Sequence, residues 1–476
     1  MRKVLITCFV AGVFLICHPA EAQKKAKAAA KPVAAAYQPN WASIDSRPIP
    51  VWFEDAKFGI FIHWGLFSVP AWGPTPRDGA GVYDCYAEWY WNRLLDKESK
   101  VQPLFAKFHA QMYGADFKYQ DFVKDFKAEM FKPDDWAKVF EESGAKYVVL
   151  TSKHHEGFTL WPSKQAWNWN AVDVGPHRDL AGDLMKSVKA KGLRMGYYYS
   201  LYEWFNPLYE TNVKRYVDEI MLPQMKDLVT RYNPDVLWTD GQWDQPSDIW
   251  RSTEFLAWLY NDSPVKNQIV VNDRWGKETP GKHGGIFTSE YEIVGGKEKK
   301  EGTMERYWEE CRGIGSSFGY NRNENLTDYS TSEQLVHMLV DKVSRGGNLL
   351  LNIGPTADGR IPVIMQDRLK AMGGWLKVNG EAIYGTRMLT TPVKKIPNVF
   401  FTAKGKDLYV ICTQWPTQAI EIEGINLPGK VSMLGFNGPV NAAFAANKIS
   451  ISPPAVTPAT VPCQYAWTFK LENALK

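Results

Sequence analysis

Strand-like runs alternate with amphipathic segments along most of this 476-residue chain, and this alternation restricts the possible folds more than any other feature. β-Branched and aromatic residues fill the runs, whereas apolar residues at helical spacing mark the segments between them. The runs cover residues 58–63, 147–151, 194–200, 236–240, 269–273, 286–290, a weak one near Trp308, and 348–353. The helical segments include 133–143, 179–191, 213–231, 332–344 and 363–378. Because neighbouring parallel strands need a crossover connection, usually a helix, the alternation predicts a parallel sheet.

Two α/β architectures share this pattern. An open, doubly wound sheet would carry a glycine-rich phosphate loop after its first strand, and that fingerprint is missing from the sequence. We therefore predict a (β/α)8-like barrel, closed or slightly distorted, over residues 39–387. The stretch 65–132 interrupts the alternation and is crowded with aromatic residues, so we expect it to be an inserted active-site loop.

The pattern changes after Gly385, where short alternating runs separated by Gly and Pro replace the helical segments. Such spacing is typical of a small antiparallel β-sandwich, which we predict for residues 388–476. A structural cap on the barrel is the favoured interpretation of this domain, and a sugar-binding module is the alternative.

Residues 1–22 have the charged, apolar and small-residue parts of a secretory signal peptide. Ile16 argues against lipidation at Cys17, because a lipoprotein signal has a small residue at that position. We expect export to the periplasm or the medium, from a bacterial source. Residues 23–38 are rich in Ala and Lys and resemble a flexible tether. The formal charge of +4 is concentrated there, so we expect no nucleic-acid partner, and no later segment is apolar enough to span a membrane.

The cysteines beyond the signal are widely spaced and include no CxxC pair, so no zinc site is predicted. Cys412 and Cys463 lie in the same domain of an exported chain, but the sequence does not decide whether they form a disulfide. An oligomer is compatible with the sequence.

Polar or ionisable residues stand at or just beyond the ends of several predicted strands. In a parallel barrel these ends meet at one mouth, where active sites of this fold lie. Each residue alone has a structural interpretation, since an Asp before Gly often caps a turn and a lone histidine is often hydrogen-bonded in the core. Their repetition favours a functional site. They are His63, His154, His155, Tyr199, Asp240, Arg274 and Glu290.

The candidate chemistry is that of carboxylates. Adjacent residues in extended backbone point to opposite faces, so His154 and His155 are poorly placed to bind one metal, and no HExxH or GxSxG motif is present. Two carboxylates are the working groups of most glycoside hydrolases, and Asp240 and Glu290 are the natural pair. The chain also contains 20 Trp, 22 Tyr and 23 Phe, and aromatic faces suit the C–H faces of sugars.

Long motifs in a fixed order resemble the α-L-fucosidases of glycoside hydrolase family 29, in particular its broad-specificity branch. They are KFGIFIHWG at 57–65, YAEWY at 86–90, KYVVLTSKHHEGF at 146–158, PDVLWTDGQW at 234–243, VNDRWG at 271–276, TSEY at 288–291 and RGIGSSFGYNRNE at 312–324. The resemblance implies a (β/α)8-like barrel with a C-terminal β-sandwich and no metal or cofactor. It also implies terminal α-L-fucose on an oligosaccharide or glycoconjugate as the substrate.

The same resemblance implies a retaining mechanism through a covalent fucosyl-enzyme, with Asp240 as nucleophile and Glu290 as acid/base. The acid/base position varies within the family, and Glu309 and Glu292 are rival candidates. A retaining enzyme would hold its two carboxyl groups roughly 5 to 5.5 Å apart. The implied fucose-binding residues are His63, Glu88, Trp89, His154, His155, Tyr199, Trp238, Arg274 and Phe318. A transfucosylase or related exoglycosidase, and a non-catalytic carbohydrate-binding protein, remain alternative functions.

Overall fold

The computed structural model describes residues 36–294, 297–298, 306–445 and 447–476. The predicted signal peptide and nearly all of the predicted tether lie outside these residues. No helix in the described part of the chain is long and apolar enough to cross a membrane.

Eight parallel strands form a curled sheet, which confirms the predicted barrel-like architecture. They are β1 (Phe58–Ile62), β2 (Tyr147–Lys153), β3 (Arg194–Ser200), β4 (Val236–Asp240), β5 (Val270–Val271), β6 (Phe287–Glu290), β7 (Trp308–Gly313) and β8 (Asn348–Ile353). Their order in the sheet is β5-β4-β3-β2-β1-β8-β7-β6, and a short hairpin, Ile293–Val294 with Lys297–Glu298, extends the edge beyond β6. The central strands β1 and β8 are buried along their whole length, as expected for continuous apolar runs covered on both faces.

The sheet is least regular between β5 and β6. The run predicted at 269–273 forms only a two-residue strand. Beyond Val271, side-chain hydrogen bonds of Asn272 and Asp273 occur in place of backbone pairing. Asn272 Nδ2 donates to the Thr239 carbonyl (2.7 Å), and the Asp273 carboxylate accepts from the Thr288 N–H (3.1 Å). The Ile286 N–H donates to the carbonyl of Val271 (3.0 Å), so the chain entering β6 still lies against β5.

Helices cover the outside of the sheet and frame its mouth. Capping side chains fix their starts, as where Asp179 accepts from the Gly182 N–H (2.9 Å). The helix predicted over 213–231 is interrupted by a π-turn, Val217–Met221, and restarts with Pro223 in its first turn. The α-helices are Trp41–Asp45, Val51–Ala56, Tyr90–Leu95, Gln102–Tyr113, Pro133–Glu142, Leu180–Ala190, Pro207–Thr211, Val213–Tyr216, Leu222–Tyr232, Ser252–Asn261, Ser332–Ser344 and Val363–Asn379.

The inserted segment 65–132 has more structure than the loop predicted from the sequence. It contains the helices Tyr90–Leu95 and Gln102–Tyr113, and it packs around buried aromatic side chains, including Phe105 and Phe122. Burial of these large side chains stabilises the segment, and this packing supports the residues of the segment that face the mouth of the barrel.

The C-terminal region consists of two antiparallel sheets around a separate apolar core, in agreement with the predicted β-sandwich. Its strands are Arg387–Met388, Val399–Lys404, Asp407–Cys412, Ile420–Glu423, Lys430–Met433, Ala442–Ala445, Lys448–Ile451 and Trp467–Glu472. Trp375 of the last barrel helix donates its indole N–H to the carbonyl of Ala466 (2.8 Å), which joins the sandwich to the barrel. Cys412 and Cys463 are both free thiols.

Candidate active site

A cavity of about 470 Å³ opens at the carboxyl ends of the parallel strands. Loops and strand ends supply most of its wall, and the inserted segment supplies the rest. We call its largely buried part the inner pocket, which consists of His63, Tyr86, Glu88, His154, His155, Tyr198, Trp238, Asp240, Arg274, Glu290 and Phe318. The remaining lining residues are Phe61, Tyr83, Trp89, Gln242, Trp243, Lys277, Pro280, Thr288, Ile293 and Cys311.

Arg274 links the two candidate catalytic carboxylates. Its Nη1 donates to Asp240 Oδ1 at 2.7 Å, and its Nη2 donates to Glu290 Oε2 at 3.2 Å. The guanidinium lies over the Trp238 ring, 4.6 Å from its centre, and its Nε donates to Thr288 Oγ1 (3.1 Å). The planar fork of one arginine therefore fixes both acids relative to each other.

Asp240 receives a second hydrogen bond from the Tyr198 hydroxyl, which reaches Oδ2 at 2.9 Å. These donors stabilise its carboxylate charge. Gly241 follows with φ of +75°, and a Cβ there would lie 2.4 Å from the Tyr202 Cβ. The Asp-Gly pair is thus a turn, as its sequence indicates, and the same turn leaves the Asp240 carboxylate facing the cavity.

Glu290 has a different environment. The Tyr86 hydroxyl, from the inserted segment, donates to its Oε1 at 2.9 Å. Burial raises the pKa of Glu290 above its usual range, Arg274 opposes this shift, and the nearby Asp240 charge adds to it. When two neighbouring carboxyl groups have unequal surroundings, one can keep its proton and act as a donor while the other stays charged.

Glu88 joins the inserted segment to the loop after β7. Its Oε2 accepts from the Gly319 N–H (2.8 Å) and from the Ser317 hydroxyl (3.2 Å). Burial raises its pKa to about 7. The Phe318 ring lies 4.9 Å from that of His63, so this loop also supplies an apolar wall.

Three neutral histidines line the pocket. His63 Nδ1 contacts Asn352 Oδ1 at 2.7 Å, and His155 Nδ1 contacts the Ser200 hydroxyl at 2.6 Å. Because Asn352 Nδ2 and the Ser200 hydroxyl already donate to backbone carbonyls, we assign the proton of both rings to Nδ1. Burial lowers the pKa of His63 and of His154 to about 3 and that of His155 well below its usual range. The Nε2 atoms of His63 and His155 are therefore acceptors for hydroxyl groups.

His154 and His155 correct one sequence argument. Both line the same cavity, with ring centres 4.1 Å apart, because β2 has a bulge near Lys153 and the chain turns directly after it. The expectation of opposite faces assumed extended backbone. His154 Nδ1 lies 3.5 Å from Glu156 Oε2, and neither atom has a hydrogen-bond partner within the described residues. Burial raises the pKa of Glu156 to about 8.

Of the residues predicted for the site, only Tyr199 fails to line the cavity. Its hydroxyl donates to Gln224 Oε1 (2.7 Å) on the helix side of the sheet, and its neighbour Tyr198 faces the pocket instead. Successive strand residues alternate faces, so an error of one position reverses the side chain. The sequence reasoning also missed Tyr86, although it lies in the quoted YAEWY motif.

The rival acids lie elsewhere. Glu309 sits inside the barrel, where it accepts from the Trp238 indole N–H (3.1 Å) and from the Tyr147 hydroxyl, and it does not line the cavity. Glu292 pairs with Lys342 on the outer side of the sheet. The geometry thus favours Glu290 as the partner of Asp240.

Comparison with known proteins identifies the family of the chain. The family model described as alpha-L-fucosidase matches residues 23–381, and the alpha-L-fucosidase C-terminal domain matches residues 394–472. The chain is 43% identical to human tissue alpha-L-fucosidase over 91% of both chains, and 42% identical to human plasma alpha-L-fucosidase over 92% of this chain and 93% of that one. The crystal structure of Thermotoga maritima alpha-fucosidase with a mechanism-based inhibitor superposes with a TM-score of 0.75 at 37% identity, covering 91% of this chain and 99% of that chain. The chain therefore belongs to the α-L-fucosidase family of glycoside hydrolases.

Proposed function

We propose that this protein is a retaining exo-α-L-fucosidase in which Asp240 is the nucleophile and Glu290 is the acid/base. The observation that carries the proposal is the bridge from one buried arginine to both carboxylates, at the strand ends of a chain that belongs to this family. A binding protein would need neither the paired acids nor their unequal environments.

In the first step an Asp240 carboxylate oxygen attacks the anomeric carbon, and the bond from that carbon to the glycosidic oxygen breaks. Glu290, protonated at this stage, transfers its proton to the departing oxygen. Its raised pKa favours the proton-carrying form before the reaction. The products of this step are the free aglycone and a fucosyl ester of Asp240.

In the second step ionised Glu290 removes a proton from water, and the water oxygen attacks the anomeric carbon of the ester. Asp240 leaves as a carboxylate, and fucose is released with its original configuration. After esterification Asp240 carries no charge, which lowers the pKa of Glu290 and suits it to act as a base. The spacing of roughly 5 to 5.5 Å expected for a retaining pair stays a prediction.

Fucose recognition is assigned to the rest of the inner pocket and to Trp89, which lines the cavity beside it. His63, His155 and Glu88 offer acceptors to the sugar hydroxyls, and Trp89 offers an indole N–H. Phe318 and Trp238 form an apolar wall suited to the methyl group of a 6-deoxy sugar. In this assignment Tyr198 takes the place that was predicted for Tyr199.

The test compares the wild type with Asp240→Asn on an aryl α-L-fucoside. We expect kcat/KM of the variant to fall roughly a thousandfold or more, because no carboxylate remains at this position to displace the leaving group. Asp244→Asn, an acid on the same loop, is the matched control and should stay within about threefold of wild type. Full activity in Asp240→Asn would remove this residue from the mechanism.

Proton NMR of the first-formed sugar tests the stereochemistry, since a retaining enzyme releases α-fucose before mutarotation. A β-fucose first product would contradict the double displacement. Product analysis with alcohol acceptors would reveal transfucosylation, the alternative on the same scaffold. Export through residues 1–22, action in the periplasm or outside the cell, and a bacterial source remain part of the proposal.

A further inference from the structure

The rim of the cavity carries polar and aromatic groups that the proposed reaction does not use. We call Tyr83, Gln242, Trp243 and Lys277 the outer subsite; all four line the cavity. Tyr83 and Trp243 are 44% and 41% exposed, whereas most of the inner pocket is buried. Exposed aromatic residues beside a buried site are typical of a binding surface.

Trp243 is held as a platform. Its ring is nearly parallel to that of Trp89, with an interplanar angle of 24° and centres 6.2 Å apart, and it meets the edge of His155 at 5.5 Å. Gln242, the preceding residue, is 8% exposed, and its Oε1 has no hydrogen-bond partner among the residues that the structure describes. A buried acceptor without a partner, on a cavity wall, indicates a missing donor.

Lys277 supplies the charge of this surface. Its side chain is exposed, and its ammonium makes no hydrogen bond or ion pair with any residue of the described ranges. Arg274, the other cation of the cavity lining, is already bound to Asp240 and Glu290. Lys277 is therefore the cation of this lining that remains available to a ligand.

The two loops that carry Gln242, Trp243 and Lys277 of the outer subsite continue from Asp240 and Arg274. Gln242 and Trp243 follow Asp240 in the chain, and Lys277 follows Arg274. The Lys277 N–H donates to the carbonyl of Gln245 (3.0 Å), and a Cβ on Gly276 would lie 2.5 Å from the Ser247 nitrogen, so the loops pack closely. Because these loops run from the inner pocket to its exposed rim, a sugar bound beyond the inner pocket would contact them.

We propose that the outer subsite binds the sugar attached to the fucose and selects one that bears an anionic group, either a carboxylate or a sulfate ester. The Trp243 face would stack on that sugar, Gln242 Oε1 would accept from one of its hydroxyls, and Lys277 would bind the anion. This inference rests on the proposed function, because it requires fucose in the inner pocket.

The experiment uses matched fucosyl disaccharides of the linkage that the wild type cleaves fastest. One pair differs by a 6-O-sulfate on the aglycone sugar, and a second pair differs by a carboxylate in place of its hydroxymethyl group. We expect kcat/KM of the wild type to be about fivefold higher for at least one anionic member than for its neutral partner. An exposed charge pair at the rim of a site has an effect of about this size. The two pairs distinguish a sulfate from a carboxylate as the recognised group.

Lys277→Gln should remove the preference and Lys277→Glu should reverse it, whereas Lys282→Gln, an exposed lysine on the same loop outside the cavity, should keep the wild-type ratio. High salt should shrink the wild-type preference, because exposed charges are screened. Trp243→Ala should raise KM for both members of a pair about fivefold.

A wild type without an anionic preference, or a preference that survives in Lys277→Gln, overturns the inference while leaving the fucosidase proposal intact. An equal loss in Lys282→Gln also overturns it. Failure of the wild type to hydrolyse the neutral disaccharide and an aryl fucoside overturns the proposed function and this inference together.

Discussion

The inner pocket and the outer subsite differ in how their polar groups are held. In the inner pocket Asp240, Glu290, Glu88 and His63 each have at least one fixed protein partner, and these residues stand at strand ends or are tied to them. In the outer subsite the Lys277 ammonium and Gln242 Oε1 lack such partners among the described residues. We infer that the preorganised groups of the inner pocket carry out the reaction. Selection of the aglycone is assigned to the loops of the outer subsite, which can vary in sequence.

Replacing the acid/base should produce the largest effect within this comparison after loss of the nucleophile. For Glu290→Gln we expect roughly 10²- to 10⁴-fold slower cleavage of natural disaccharides, because their leaving oxygen needs a proton. An aryl fucoside with a good leaving group should be much less affected in its first step. Steady-state and burst kinetics on both substrates measure this difference.

Glu292→Gln is the matched control for that substitution, since it removes a carboxyl near Glu290 in sequence that faces away from the cavity. It should keep near wild-type kinetics. If Glu290→Gln and Glu292→Gln exchanged these outcomes, the acid/base would have to be reassigned.

Two neighbouring tyrosines test whether the pocket face or the helix face of β3 matters for activity. Tyr198→Phe removes a donor to the Asp240 carboxylate and should cost about 10- to 100-fold in kcat/KM, the range of a hydrogen bond to a charged group. Tyr199→Phe removes a hydrogen bond to Gln224 and should lower the free energy of unfolding by about 1 kcal/mol, with little change in kinetics. Kinetics and urea unfolding of both variants provide the comparison. Equal losses of activity would show that both residues act on the site.

The last prediction concerns stability rather than activity, and it tests the buried acid behind His154. The folded-state pKa of Glu156 is raised to about 8, so between pH 6.5 and 8.5 the folded protein releases a proton that the unfolded chain has already lost. Its contribution to stability is therefore present at the lower pH and is lost as the pH rises. Glu156→Gln should reduce the fall in unfolding free energy over this interval by about 1 to 2 kcal/mol.

Urea unfolding of wild type and variant at both pH values measures that difference. The histidines with lowered pKa do not disturb that difference. Near pH 6.5 they are partly protonated in the unfolded chain and neutral in the folded protein, but this contribution is the same in wild type and variant and cancels from the comparison. Glu142→Gln, an exposed acid, is the control and should follow the wild type. A Glu156→Gln variant with the wild-type pH dependence would contradict the buried, proton-holding state.

Most of the barrel could be read from local patterns. β3, β4 and β8 begin and end where the sequence predicts, because each is a short run of mainly apolar and aromatic residues between polar or turn residues. β5 is shorter than predicted, since Asn272 and Asp273 form side-chain bonds with other strands that a local pattern does not reveal. The inserted segment was recognised by its aromatic content, but its helices depend on packing between residues far apart in the chain.

The site divides in the same way. From strand-end polarity the sequence alone predicted the pair Asp240 and Glu290, and its long ordered motifs, through the family that they resemble, implied most of the pocket; both are local properties. It left Glu309 and Glu292 as rivals for the acid/base. Only the tertiary structure decided that Arg274 bridges the pair, that Tyr198 rather than Tyr199 faces it, that both histidines after the β2 bulge share one cavity, and that Glu309 lies beneath Trp238. These features depend on strand register, on a bulge and on contacts between distant segments, and such relations exist only once the strands are paired.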